Sequence, residues 1–299
     1  LSATRPVSVI VPVYNDEKGI SNVIKNLKQQ TISNFEVFIV DDGSTDDTSN
    51  VIKKEIKDDT RFNYIYQMNS GVSAARNNAL TRITGDFVTF VDSDDGISID
   101  YLEVLLSIFD KDDYILGVGK IYSQGDTSSI LEEYSGNEMR ILLYKVFKGY
   151  VWNKIFITRV ITENNLRFDT SLSVGEDLKF VFEYVSLNSD NGKLRYVDKE
   201  IYDYKEHTGS LSSSNIKNFY KSLSMASYSL LGLIDKEQEL RQLVLTNFLY
   251  FYYKQSVLNN EEAFLISKEN IKKYNKECQK ITLKINFWKF RSCVNNFFK

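Results

Sequence analysis

Four short, β-branched apolar runs alternate with helix-compatible segments through the first third of the chain, and polar residues cluster where each run ends. "VSVIVPVY" (Val7–Tyr14), "FEVFIV" (Phe35–Val40), "FNYIYQ" (Phe62–Gln67) and "DFVTFV" (Asp86–Val91) read as strands. Glu17–Gln30, Thr45–Ile56 and Gly71–Thr81 read as the helices between them. Asn15 or Asp16 can cap the first, and Ser44 with Asp47 forms a capping-box-like start for the second. Strands joined by helices imply right-handed crossovers and a mainly parallel sheet, so the fold class is α/β. Ligands of such sheets bind beyond the carboxyl ends of the strands.

Further along, strands are expected near Tyr114–Tyr122 and Tyr196–Tyr204, with helices near Glu138–Phe147 and Glu176–Leu187. From Asn215 the pattern is helical, with apolar stripes at Leu223, Ala226 and Leu230, then Leu243, Phe248 and Tyr252. "LSSSN" (Leu211–Asn215) is the candidate linker. The expected domains are therefore 1–212, with a nucleotide-binding half to about 96 and an acceptor half beyond it, and a helical region over 213–299.

At 42% hydrophobic and 26% charged residues, composition fits a folded globule rather than a disordered chain. A net charge of −3 argues against nucleic acid as a partner. The two cysteines, Cys278 and Cys293, match neither a zinc spacing nor a disulfide framework, which points to a reducing compartment. No run reaches the length of a membrane-spanning helix and no signal-peptide pattern opens the sequence, so a cytoplasmic location is expected. "KINFWKFRSCVNNFFK" (Lys284–Lys299) has basic and apolar residues at helical spacing and no acid. It reads either as a basic amphipathic helix on an anionic membrane or as a terminal helix docked on its own domain.

The strand ends carry the chemistry. Asp92, Asp94 and Asp95 follow the fourth run within "GDFVTFVDSDDGIS". Carboxylates this close repel, and a hard divalent cation such as Mg²⁺ or Mn²⁺ removes the penalty. Asp95 can instead cap the next helix. "VDDGSTD" (Val40–Asp46) is a second acidic strand end, which can accept from a ribose hydroxyl or an imide N–H, or simply form a turn. "NSGVSAARNNA" (Asn69–Ala79) opens a helix with Gly71 and places Arg76 one turn in, an arrangement suited to phosphate. It has neither Walker nor dinucleotide-fingerprint spacing. Glu176 and Asp177 start a helix after Gly175, where the helix dipole alone would favour them. His207, the only histidine, lies in a loop next to small polar residues. Trp152 suits either a core position or packing against a sugar ring.

"VSVIVPVYND", "VDDGSTDDT", "NSGVSAARN", "FVDSDD", "VWNKIF", "GEDLKF" and "HTGSLS" stand in the order and approximate spacing of family 2 glycosyltransferases, which the chain resembles over about residues 6–212. The subgroup it looks most similar to builds bacterial capsule, exopolysaccharide or teichoic-acid glycans. The resemblance implies a GT-A fold, a UDP-sugar donor, a glycan or lipid-linked acceptor, Mn²⁺ or Mg²⁺ as cofactor, and inversion at the anomeric carbon. It implies a nucleotide site lined by Pro12, Tyr14, Asn15, Asp42, Asn69, Gly71, Arg76, Asp92 and Ser93, with Tyr14 against the base and Asp42 reading uracil. Asp94 and His207 would hold the metal, and Lys205 and Ser210 would meet the diphosphate. Asp177 matches the catalytic base, with Glu176 beside it, and Trp152, Asn153 and Lys154 would belong to the acceptor region. Many relatives carry Arg where Lys205 stands, and Lys does not bind phosphate bidentately. The other readings are a phosphohydrolase of nucleotide sugars and a non-catalytic nucleotide-sugar-binding subunit. The helical C-terminal region is a candidate surface for a membrane, a partner or a second copy.

Overall fold

The computed structural model describes residues 6–110, 114–122, 133–147, 149–187, 192–205, 216–234 and 238–259. The linker, His207, Ser210, both cysteines and Lys284–Lys299 lie outside the described residues. The chain divides into two units, Leu1–Ser171 with Glu176–His207, and Leu172–Gly175 with Thr208–Lys299.

The first unit opens as the sequence pattern predicts. Strands β1 (Val7–Val13), β2 (Phe35–Asp41), β3 (Phe62–Tyr66) and β4 (Phe87–Phe90) pair in parallel, with helices α1 (Glu17–Lys28), α2 (Thr48–Ile56) and α3 (Val72–Leu80) between them. β1 is buried along its whole length, as expected of a central strand covered on both faces. α1 turns Ile20, Val23, Ile24 and Leu27 inward at helical spacing, and Asp16 caps it by accepting from the Gly19 amide at 2.9 Å.

Beyond β4 come β5 (Gly96–Ile97), α4 (Tyr101–Leu106), β6 (Tyr114–Ile121), β7 (Glu133–Ser135), α5 (Gly136–Lys145), β8 (Lys154–Ile157), α6 (Thr158–Glu163), α7 (Glu176–Ser186) and β9 (Lys193–Asp203). The sheet order is β3-β2-β1-β4-β8-β6-β9-β5, with β7 also on β9. Here the sheet departs from the parallel expectation. β8 runs antiparallel to both β4 and β6, whereas β9 runs parallel to β6. The reversal sets the site. The carboxyl ends of β1, β2, β4 and β9 share one edge of the sheet with the amino end of β8. Pairing of Gly96 with Asp203 and Ile97 with Tyr202 then folds the segment after β4 against the end of β9.

In the second unit, α8 (Ile216–Leu233) and α9 (Gln238–Asn259) form a helical hairpin. Tyr228 meets Phe248 at 5.7 Å and Tyr220 meets Phe251 at 6.4 Å, a pairing in opposite chain directions. Ala226, Leu230 and Leu231 of α8 and Leu240, Val244 and Leu245 of α9 are buried. Ser173, from the short segment assigned to this unit, donates its amide to the Ser222 hydroxyl at 2.9 Å.

Ile10 sits in β1 opposite Phe38 of β2 and Phe90 of β4, with no exposed surface. Ile10→Ala should cost about 2–5 kcal/mol, read as a lower urea midpoint with unchanged slope. A loss under 1 kcal/mol, roughly an Ile→Val-sized effect, would remove β1 from the centre of the core.

Candidate active site

The loops after β1, β2 and β4 are stitched together by their own polar side chains. Asn15, held at a positive φ of 50°, accepts from the Thr45 amide at 2.7 Å, and its own amide donates to the Ser44 hydroxyl at 2.9 Å. Asp16 accepts the Ser93 hydroxyl at 2.8 Å, joining the ends of β1 and β4. A Cβ on Gly19 would stand 2.5 Å from the Ser93 carbonyl oxygen, so this close approach requires glycine. Asp41 accepts from the Ser44 amide and the Tyr64 hydroxyl, each at 2.8 Å.

Asp42 is buried and takes three donors: Gln67 Nε2 at 2.8 Å, the Ser70 amide at 2.9 Å and the Gly71 amide at 2.8 Å. The anion at the start of α3 is therefore Asp42 itself. Its two amide donors precede the helix, and the first-turn amides of Val72, Ser73 and Ala74 are not among them. Asn69 and Gly71 are exposed around it and Tyr14 is half exposed, while Pro12 is buried within β1 opposite Val40.

Arg76 is the centre of the site. Its guanidinium is 3% exposed and lies over the Phe168 ring at 5.2 Å. Nη1 donates to Asp177 at 2.7 Å and reaches Glu176 at 3.4 Å, and Nη2 donates to Asp92 at 2.9 Å. Its buried Nε has no protein partner among the described residues. Burial works against the charge, yet Asp177, Asp92 and Glu176 together raise the guanidinium above its ordinary value. Burial and then the Asp177 charge push Glu176 up to about 8. Burial also raises Asp177, against the opposing pull of Arg76. The expectation that Arg76 lines the nucleotide site thus changes in kind. Both of its outer nitrogens are occupied by carboxylates.

Asp177 also accepts weakly from the Val151 amide at 3.4 Å. Close by, Gly149 has a φ of +64°, and an added Cβ there would fall 2.7 Å from Leu178 Cα. The turn before β8 consequently rests on the first turn of α7.

Asp95 is 2% exposed and accepts from the Tyr202 hydroxyl at 2.8 Å and the Lys205 amide at 2.9 Å. Burial lifts it to about 7. It ties the loop to β9 and does not cap the next helix, whose N-cap is Asp100. Asp94 is exposed beside it, as is Lys205. Among the described residues, no three acids or other ligating side chains converge into a metal cage.

The acceptor assignment needs correction. Lys154 has no exposed surface; its amine donates to Asn153 Oδ1 at 2.8 Å, and burial pushes it down to about 7. Asn153 donates to the Gly119 carbonyl at 2.9 Å, deep between β8 and β6. Trp152 is buried too, with its indole parallel to Tyr202 at 4.4 Å, Tyr150 at 4.8 Å and Tyr204 at 5.5 Å. These three motif residues are framework, because the turn into β8 aims them inward. The exposed rings are Tyr150 and Tyr204, which the sequence reading missed. The signal was available: Tyr150 and Trp152, like Tyr202 and Tyr204, stand two apart, the spacing that puts extended residues on one face.

Comparison with known proteins places the chain in a family. The model of the family described as Glycosyl transferase family 2 matches residues 8–165, more than half the chain. The chain belongs to that family. It is 34% identical to the glycosyltransferase GlyA of Streptococcus pneumoniae over 223 residues, which is 69% of this chain and 31% of GlyA. It thus spans about a third of GlyA's length. The crystal structure of a Staphylococcus aureus TarS fragment in complex with UDP-GlcNAc is 26% identical, with a TM-score of 0.68, over 85% of this chain and 74% of that one. The mannosyltransferase PcManGT from Pyrobaculum calidifontis, solved with GDP-Man and Mn²⁺, shares the fold at 14% identity and a TM-score of 0.60, over 95% of this chain and 85% of that one. The GT-A architecture follows. Among the described residues no helix is long and apolar enough to cross a membrane.

Removing the shared cation should expose its role. Arg76→Gln leaves the three carboxylates without it, at a cost of about 3–5 kcal/mol near pH 8.5. The sign with pH is set by Glu176. Its folded pKa lies above the unfolded value, so the stability tied to its proton is present at low pH and lost as pH rises through about 8. The variant should therefore lose less at pH 5.5, where Glu176 and Asp177 hold protons more readily. Urea titrations at both pH values test this; an equal loss at each would rule out the carboxylates as the cause.

Proposed function

We propose that the protein is an inverting, metal-dependent glycosyltransferase that moves a sugar from a UDP-sugar to a hydroxyl of a cell-surface glycan or lipid-linked acceptor. One observation carries this reading: Asp177, from the start of α7, and Asp92, from the end of β4, meet on a single buried guanidinium at 2.7 and 2.9 Å. A base and a donor-side acid are thereby held at one point of the sheet edge.

In the proposed reaction Asp177 takes the proton of the acceptor hydroxyl while its oxygen attacks the anomeric carbon. The bond from that carbon to the diphosphate oxygen breaks, and the electron pair leaves with UDP. One displacement inverts the centre and needs no covalent intermediate. Burial raises Asp177, and a raised carboxylate is a stronger base than an ordinary one. Asp42 has three of its roughly four lone-pair sites filled, leaving about one acceptor position for the imide N–H of uracil. Half-exposed Tyr14 is suited to the base. The TarS fragment, bound to UDP-GlcNAc, supports a UDP-sugar as donor class.

A divalent cation fits the donor chemistry of the strand end. Asp94 offers an exposed hard oxygen ligand, and Asp92 keeps part of its carboxylate open beside it. Asp94 would hold the ion, and the cation would supply positive charge to the leaving diphosphate. PcManGT, with Mn²⁺, is consistent with that class of cofactor.

Asp177→Asn should reduce transfer at least a thousandfold, on the order of the upper half of the general-base range, while UDP affinity stays within about twofold. Turnover close to wild type would remove Asp177 as the base. Asp94→Ala should abolish the gain in UDP affinity that Mn²⁺ gives the native protein, read by calorimetry with and without the ion. An unchanged metal-dependent gain would place the cation elsewhere.

A further inference from the structure

The rings around Trp152 form a built aromatic platform beside the base. Tyr202 is fully buried and pinned: its hydroxyl donates to Asp95 and accepts from the Asp92 amide at 3.1 Å. Trp152 stacks on it at 4.4 Å and 20°. Tyr150 and Tyr204 lie parallel to the indole within 17° and 6°, and to each other within 15° at 6.5 Å. Unlike the two rings beneath them, they are open, at 36% and 47% exposure. Tyr150 adjoins Val151, whose amide contacts Asp177.

From this geometry we propose that Tyr150 and Tyr204 bind the acceptor as a neutral pyranose ring, lying with its C–H face on the two tyrosines and a hydroxyl directed toward Asp177. The proposal rests on the glycosyltransferase reading and names the acceptor class for it.

Three features favour this ligand. Two open rings, 6.5 Å apart and parallel within 15°, turn their apolar faces the same way, which suits the C–H face of a pyranose and not a flexible polyol chain. The surface is already ordered, because Trp152 and Tyr202 hold it from below, so a ligand pays little to organise it. The Asp177 carboxylate lies close enough to Tyr150 that burial and then this charge raise the Tyr150 hydroxyl. A phosphate placed there would face the same negative field, so a neutral ring is preferred over a polyol phosphate.

The test uses the full chain and saturation-transfer difference NMR. The probes are the methyl pyranosides of glucose, galactose, mannose, N-acetylglucosamine and rhamnose, with ribitol 5-phosphate as the polyol phosphate and uridine as competitor. At least one pyranoside should show transfer concentrated on one face of the ring. Tyr150→Ala and Tyr204→Ala should each weaken it by about threefold to tenfold, the range of one aromatic contact. Tyr204→Ile, which keeps apolar bulk without a flat ring, should weaken it as much. Melting temperatures near wild type would confirm that each variant folds. Absence of transfer to every pyranoside, transfer unchanged in all three variants, transfer to ribitol 5-phosphate alone, or displacement by uridine would each overturn the proposal. Calorimetry with UDP and Mn²⁺ on the same samples separates the two readings. Native protein that binds a pyranoside but not UDP keeps the platform and loses the donor reading; the converse loses only the platform.

Discussion

A single buried cation organises the first unit. Arg76 stands on α3, yet its partners come from the end of β4 and the start of α7, a hundred residues further along the chain. A buried guanidinium without partners would be prohibitively desolvated, and so would the carboxylates without it. Neither side can be placed alone. The ion cluster therefore specifies the register between the parallel half of the sheet and the segment that carries Asp177. Such a cluster is a poor source of net stability compared with apolar packing. Its value lies in fixing positions, and the groups it fixes are those the proposed chemistry uses.

The sheet explains why these groups can meet. Because β8 runs antiparallel to β4, its leading turn arrives at the carboxyl end of β4 rather than at the opposite edge. A parallel strand in that place would have put Tyr150 and Trp152 on the far side of the sheet from Asp92. β9, parallel to β6, returns its carboxyl end to the same edge and delivers Tyr202 and Tyr204. The short β5–β9 pairing and the buried Asp95 close the arrangement.

The first four strands and three helices were legible to within a few residues, because buried β-branched runs are local signals; of the expected caps Asp16 holds α1, whereas α2 starts at Thr48 without the Ser44–Asp47 capping box. β8 and its antiparallel sense were not, since a four-residue strand carries little pattern and pairing direction has no local code. The acidic strand ends could be picked out as a group, and they share one edge of the sheet. Their division of labour was hidden, because it depends on which oxygen meets which donor: Asp42 receives backbone amides, Asp95 a tyrosine and an amide, and Asp92 an arginine. Trp152, Asn153 and Lys154 misled for a related reason. The family resemblance put them in the acceptor region, and only the turn geometry shows their side chains directed inward.

The sharing of Arg76 also bears on how Asp177 could act as a base. A carboxylate paired one-to-one with a guanidinium is held far below its usual pKa and becomes a weak base. Here one guanidinium serves three acids, and the other nearby cation, Lys154, is pushed by burial toward its neutral form. Desolvation of Asp177 consequently outweighs the attraction, and its pKa stays above the ordinary carboxylate value. Pairing with Arg76 fixes the direction of the carboxylate without quenching its basicity. Had Asp92 been absent, the same arginine would hold Asp177 more tightly and leave it less able to take a proton. In the proposed reaction Asp92 would thus serve Asp177 by competing with it for one cation.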